Sequence, residues 1–271
     1  MLYVGIFFLV FAAILFFAKR SEEEKLGYIK GIETSNARDL IDEVKAITER
    51  MGKAGSFRRL VELKGVIKCD NPLTSEVAKQ KCVFYTMTVT RKTEEDYEEK
   101  DSKTGQSVRK TRQKTDTVAS NSQTVPFYVE DATGKVLVNP NGAELDPVRV
   151  VDKFEAGQVN TGQSISVGGF SFTLSGSSFG SALSPGHRVL GYNFTESVLP
   201  LERRVYILGE ASDSEGELTI KAPKEKGRFI VSLKSEEELM AAGASSAQFM
   251  GIGMVVSGLL GLGLIIYSFV R

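Results

Sequence analysis

Cysteine occurs twice, at Cys69 and Cys82, and histidine once, at His187. A structural zinc site takes about four Cys/His ligands, so these residues cannot build a multi-cysteine zinc site. An excess of one charge is also lacking. The 34 basic and 34 acidic side chains cancel, which leaves no electrostatic footprint for nucleic acid. No P-loop and no dinucleotide fingerprint occurs in the polar part of the chain, no internal repeat is visible, and no cofactor is expected.

Two uncharged runs stand out against this background. Leu2 to Ala18 reads LYVGIFFLVFAAILFFA, and a second run extends from Phe249 to Val270. At a rise of about 1.5 Å per residue they reach about 26 and 33 Å, against a hydrocarbon core of about 30 Å. The first is short, but Lys19 and Arg20 can snorkel to the headgroups. Neither run has a polar face, so both are expected to cross a bilayer. The first has no basic residue before its apolar stretch and no small-x-small site before Lys19, the reverse of a cleaved signal. It is therefore expected to stay as an anchor. Gly253, Ser257 and Gly261 lie on one face of the second run as small-xxx-small steps that let another helix approach closely. The first run is the obvious partner, self-association through the spans is the second, and glycine facing lipid without a role is the third.

Both runs together put the chain ends on one side of the membrane and everything between on the other. Lys19, Arg20, Lys25 and Lys30 flank the first run on the inner side of the sequence, and only the amino terminus and Arg271 lie beyond the two runs. The positive-inside rule then places the intervening domain in the cytoplasm.

Between the runs the texture changes from helical to strand-like. A polar linker is expected from Ser21 to Asn36. An amphipathic helix follows to Gly52, with Leu40, Val44, Ile47 and Met51 at helical spacing, a cap at Ser35 or Asn36 and a stop at Gly52. From Phe57 onward short alternating segments dominate. The strand candidates are a segment around Leu60–Ile67, then Cys82–Lys92, Thr124–Glu130, Lys135–Val138, Val148–Phe154, Ser164–Leu174, His187–Glu196, Val205–Ala211, Leu218–Lys221 and Phe229–Leu233. Turn signals separate them. The expectation is a mainly β, antiparallel barrel or sandwich over 56–235, preceded by a first span over 1–20 and a linker with helix over 21–55. A short acidic helix and the second span follow over 236–271.

A charged hairpin is expected at 94–114. With a turn at Thr104-Gly105, Glu99 faces Lys110, Tyr97 faces Arg112 and Glu95 faces Lys114, so opposite charges meet across the ladder. Such an arm either docks a partner protein or is a solvated hairpin whose charges fix register and block edge pairing. GSSFG at 176–180 fits G-x-S-x-G with Ser178 in the nucleophile place. No acid lies between it and His187, however, and the segment is rich in Gly and Ser, so a membrane-bound serine hydrolase is the weaker reading. Cys69 and Cys82 form a bridge in an oxidising compartment or stay as small hydrophobic thiols in a reducing one.

The stretch GVIKCDNPLTSEVAKQKCVFYTMTVTRKTEED from Gly65 resembles the membrane-adjacent domain of the mitochondrial E3 ubiquitin ligases of the MULAN/MAPL/GIDE family, especially their short bacterial-type relatives. The matching positions are Gly65-Val66, Pro72-Leu73-Thr74-Ser75, Cys82-Val83 and Tyr85. The segments VYILGEA (205–211) and FIVSLKSEEEL (229–239), ahead of a span, match the end of that domain. The resemblance implies a membrane-anchored GIDE-type module, which in that family faces the intermembrane space. It also implies a RING after the second span, for which the two cysteines and one histidine provide no ligands. The expectation is therefore a non-enzymatic scaffold or docking module, with a ligase component acting beside a separate RING protein as the alternative. Pro72, Leu73 and Ser75 read either as a recognition loop or as a corner of the fold.

Overall fold

The computed structural model describes residues 1–52, 55–100, 106–157, 164–167, 170–173, 187–214 and 216–270. In chain order the elements are α1 Leu2–Gly31, β1 Thr34–Ser35, α2 Ala37–Met51, β2 Arg58–Lys68, β3 Leu73–Thr74, β4 Lys81–Lys100 and β5 Ser107–Thr124. They continue as β6 Phe127–Glu130, β7 Lys135–Val138, β8 Glu144–Asp146, β9 Val148–Ala156, β10 Ser164–Val167 and β11 Phe170–Thr173. Last come β12 His187–Pro200, β13 Arg204–Ser212, β14 Thr219–Lys221, β15 Ile230–Ser232 and α3 Glu236–Val270. The architecture is strand-rich with two long apolar terminal helices, as the sequence suggests. The chain divides into two compact units: one of Met1–Val66, Val129–Asp146 and Arg204–Arg271, the other of Ile67–Tyr128 and Pro147–Arg203.

The first unit is a small barrel with the two terminal helices. Its strands run in the order β2-β6-β7-β14-β13, and β13 pairs back onto β2 to close the ring. The β13–β2 ladder is antiparallel from Arg204↔Val66 to Ser212↔Arg58, whereas β14 lies parallel to β7. A five-stranded ring of order 1-2-3-5-4 with parallel third and fifth strands has the connectivity of an OB-type barrel. Gly65 sits where two strands come closest: a β-carbon there would lie 2.6 Å from the Glu130 carbonyl oxygen and 2.7 Å from Val129 Cγ1. Only glycine admits that approach.

Helix α2 has the predicted bounds and the predicted caps. Asn36 Oδ1 accepts from the Asp39 N–H at 2.9 Å, and Gly52 ends the helix in the left-handed region at φ 62°. A second acceptor comes from outside the helix. Asp131 takes the Ala37 N–H at 2.7 Å, the Thr133 N–H and hydroxyl at 2.7 Å each, and the Gly134 N–H at 3.0 Å. Burial pushes the Asp131 carboxyl up, but these donors outweigh it and hold it below its ordinary value of 3.8. A depressed carboxylate contributes stability that is present above the unfolded value and lost as pH falls through the folded one. Asp131→Ala is therefore expected to cost about 1–2 kcal/mol at neutral pH. Thermal unfolding of the two proteins as a function of pH checks this, because the gap should shrink as pH drops below 3.8.

Helix α1 runs further than the sequence reading allowed. The stretch expected as a polar linker, Ser21 to Asn36, is helical to Gly31. Good helix formers occupy it, and Lys19–Glu23 and Arg20–Glu24 pair one turn apart at 2.5 and 3.4 Å. Likewise α3 is one unbroken helix from the acidic segment to Val270. Both are long and apolar enough to cross a membrane, and only 6% and 11% of their most apolar windows are buried. The core helix of a soluble protein would have those windows covered.

The second unit is built on β4, which lies between β12 on one side and β5 on the other, with β9 beyond β12 and β3 beside the start of β4. Odd-numbered β4 residues from Tyr85 to Val89 point inward with Phe194 and Val198 of β12. The even-numbered residues are partly exposed, which is the alternation of a sheet covered on one face.

Three sequence expectations are corrected here. The hairpin register differs by two residues: Glu95 faces Arg112, Tyr97 faces Lys110 and Glu99 faces Val108. A shift of two leaves every side chain on its expected face, so pattern alone could not separate the two alignments. The expected turn at Thr104-Gly105 lies outside the described residues. The single strand expected over Ser164–Leu174 is two strands paired antiparallel from Ser164↔Thr173 to Val167↔Phe170, and positions 168, 169 and 174 of the expected strand lie outside the described residues. The strand expected over Thr124–Glu130 is divided between β5 and β6 at Val125-Pro126, where proline cannot donate to a ladder.

Candidate functional site

Among the described residues three places concentrate polar chemistry, and each has a distinct physical basis. The first is the junction of the terminal helices with the barrel. α1 and α3 run antiparallel and pack through small residues. A β-carbon on Gly5 would lie 2.9 Å from the Gly261 carbonyl oxygen, one on Gly261 would lie 2.9 Å from that of Gly5, and one on Gly253 would lie 3.1 Å from Leu15 Cδ1. Ser257 is buried on the same face. The stripe Gly253, Ser257, Gly261 therefore lies against α1. Beyond the apolar runs, the same two helices reach the barrel. Ile29 of α1 is buried with Tyr206, Leu208 and Ile230, and Leu239 and Met240 of α3 pack on that cluster.

Charges surround this shared core. Glu62 of β2 is fully buried and accepts from Tyr206 Oη at 2.8 Å, Thr34 Oγ1 at 2.5 Å and Lys64 Nζ at 2.9 Å. Lys64 Nζ also reaches Glu236, at the start of α3, at 2.6 Å. Desolvation pulls the Lys64 ammonium down, and hydrogen bonds to Glu236 and Glu62 outweigh it, so its pKa is raised. Burial, then the bond to Glu62, pushes the Tyr206 phenol far above its ordinary value. On another side Glu144 joins Lys25 of α1 at 2.9 Å to Arg228 at 2.7 Å, and Arg228 donates to Ser21 Oγ at 2.7 Å. Burial raises the Glu144 carboxyl, but the two cations hold it lower on balance. An open cleft of about 820 Å³ borders this group, lined by Glu24, Tyr28, Lys226 and Phe229 among others. Its basic Arg228 is already committed to Glu144.

The second place is the segment carrying the family-like residues Pro72, Leu73, Ser75 and Cys82. Leu73 pairs with Cys82 across β3 and β4. Glu196 of β12, fully buried, accepts from Ser75 Oγ at 3.0 Å and from the N–H groups of Val77 and Ala78 at 2.8 and 2.7 Å. Ser75 Oγ in turn accepts the Gln80 N–H at 3.1 Å. Beside it, Glu76 accepts from Tyr85 Oη at 3.1 Å and from Asn121. Burial, then the Glu76 bond, raises the Tyr85 phenol to about 12. Ser75, Glu76 and the N–H groups of Val77, Ala78 and Gln80 are all used to hold the segment in place. Cys69 and Cys82 are free thiols. Cys82 is buried, and desolvation followed by the Glu196 charge pushes its thiol up to about 11, which makes it an inert thiol at neutral pH.

The third place is the β4–β5 hairpin. Arg109 pairs with Asp96 at 2.7 Å, Lys110 with Glu99 at 2.6 Å, and Arg112 with Glu95. The Glu99–Lys110 pair expected from sequence thus forms, but diagonally. Ser178 lies outside the described residues, and His187 contributes backbone pairing to Glu95. Among the described residues no group of three or more His, Cys, Asp or Glu could hold a metal ion.

Sequence reading missed Glu62, Glu144 and Glu196, the three acids that organise these places. For Glu196 a signal existed: it lies between Phe194 and Val198 on the inward face of an alternating strand, where a carboxylate must find donors.

A family model described as GIDE, E3 Ubiquitin ligase, matches residues 94–266. Gly65, Pro72, Leu73, Ser75 and Cys82 precede the matched stretch, whereas 205–211 and 229–239 fall inside it. No curated protein matches the chain, and no solved structure does.

Proposed function

The chain belongs to the GIDE family of E3 ubiquitin ligase-related domains, and on that basis we propose that it is a two-pass membrane protein acting as a docking platform rather than as a catalyst. The observation that carries this reading is the junction of helices and barrel. α1 and α3 share a core with the barrel through Ile29, Leu239 and Met240, and Lys64–Glu236 and Lys25–Glu144 tie them to it by charge. A flexible tether would suffice to keep a domain near a bilayer. A domain packed onto its own spans is held in one orientation, which is what a platform needs. The flanking Lys19, Arg20, Lys25 and Lys30 favour a cytoplasmic domain. The outer part of the hairpin, residues 96–100 and 106–114, is the docking arm: almost all of it is exposed and heavily charged.

Photo-crosslinking from position Val108, which is 45% exposed, tests the arm in native membranes. Discrete adducts are expected. A probe at Arg112, which the shortening keeps, should give adducts in the full-length chain and lose them when residues 97–110 are replaced by Asn-Gly, a change that leaves the ladder to β12 intact. Adducts that persist in the shortened protein from a probe at Arg112 would contradict a docking role. The second reading, a ligase component beside a separate RING protein, is favoured by the family description. It requires that the purified chain stimulate ubiquitin transfer by a RING protein and its conjugating enzyme.

A further inference from the structure

We propose that the occupant of the hairpin arm is the hairpin of a second copy of this chain, added edge to edge in a head-to-tail manner, with the acidic strand of one copy beside the basic strand of the next. This deepens the docking reading and rests on it. Among the described residues β12 pairs with β4 only as far as His187↔Glu95, and from Asp96 to Lys100 β4 has β5 on one edge and no described strand on the other. Among the described residues β5 has β4 on one edge and no strand on the other over its whole length. Among the described residues the two-stranded ribbon therefore presents two open edges, each a row of backbone donors and acceptors.

The charges on the two edges differ in sign, and they do so on both faces. One face carries Asp96, Glu98 and Lys100 on β4 and, opposite Glu98, Arg109 on β5; the other carries Glu99 on β4 and Lys110 on β5, so the β4 edge is acidic on balance and the β5 edge basic. Edge charges commonly deter pairing because like charges meet. Here that deterrence is selective. Pairing β5 with β5, as a two-fold dimer could, sets cations against cations, and pairing β4 with β4 through Glu98 sets that carboxylate against its copy between two strands that are each acidic on balance, with Lys100 the one offsetting cation. Pairing β4 with β5 of a neighbour repeats the acid–base neighbours found inside the hairpin. The contact is heterologous, so it generates closed rings or open rows rather than isolated dimers, and it weakens as salt rises because every pair is exposed.

A charge-swapped hairpin tests this while keeping the hairpin's own pairs Asp96–Arg109 and Glu99–Lys110: Asp96→Lys, Glu98→Lys, Glu99→Lys, Arg109→Glu and Lys110→Glu in one protein. Wild-type and swapped full-length chains are co-expressed with different tags, and adducts are formed from a photoreactive residue at Val108. Wild type should cross-link to wild type, and swapped to swapped, while mixed adducts fall roughly tenfold. Mixed adducts at the same yield as the matched ones would overturn the pairing. Adducts that contain another protein and no second copy would also overturn it, and would leave the docking reading standing. No adduct of any kind would remove both.

Discussion

Glu196→Ala should destabilise the second unit by about 3–5 kcal/mol, the largest effect expected of any single substitution outside the hydrophobic core. The carboxylate is fully buried and has three donors, the Ser75 hydroxyl and the N–H groups of Val77 and Ala78. Removing it leaves those donors facing an apolar gap lined by Val77, Met87 and Phe194. Each buried unsatisfied donor costs about 1–3 kcal/mol. Glu196→Gln keeps one acceptor oxygen and turns an amide toward the remaining donors, so it should fall between the two. Hydrogen exchange on the full-length protein in detergent reads the effect by region. Peptides covering 72–82 and 187–200 should lose protection, while those covering 204–212 keep theirs. Unchanged exchange at 72–82 would mean that the segment is held by something other than Glu196.

Glu62→Ala should cost about 2–4 kcal/mol, and the loss should appear where the helices meet the barrel. Tyr206 Oη and Thr34 Oγ1 lose their acceptor, and Lys64 keeps Glu236 and a long bond to the Thr34 hydroxyl. Protection should fall in 236–245 as well as in β2 and β13, because Lys64 links Glu62 to the start of α3. The alkaline limb of stability carries an independent signature. The Tyr206 pKa is raised above its ordinary 10.0, so its contribution is complete below that value and is lost as pH climbs through it. Part of that rise comes from Glu62, so the variant's alkaline loss should level off at a lower pH and be smaller in total than that of the wild type. Losses that level off at the same pH would show that Glu62 does not govern the phenol.

Much of the fold is legible in the residues, for physical reasons that also mark the limit. Two uncharged runs can only be long apolar helices. Asn36 and Gly52 bound α2 because a cap needs a side-chain acceptor and a stop needs a left-handed residue. Lys135–Val138 and Val148–Phe154 alternate and are strands. Topology was not legible. The second unit consists of two insertions, one between β2 and β6 and one between β8 and β13, and no composition change marks either entry. The hairpin register escaped by two residues because a shift of two preserves face and nearly preserves charge matching. Of the organising acids, Glu62 and Glu144 act through partners distant in sequence, Tyr206 for the first and Lys25 and Arg228 for the second. No local pattern announces a contact of that kind. Glu196 alone was marked, by its inward place on an alternating strand.

The central claim is that both terminal helices cross one bilayer and hold the barrel on a single side of it. Cysteine accessibility tests it directly, in a protein carrying Cys69→Ser and Cys82→Ala with one new cysteine at Tyr3, Ser268 or Ser214. In sealed vesicles of uniform orientation, a membrane-impermeant maleimide should label positions 3 and 268 from the same face and position 214 only from the other. Labelling of positions 3 and 214 from the same face would contradict the account.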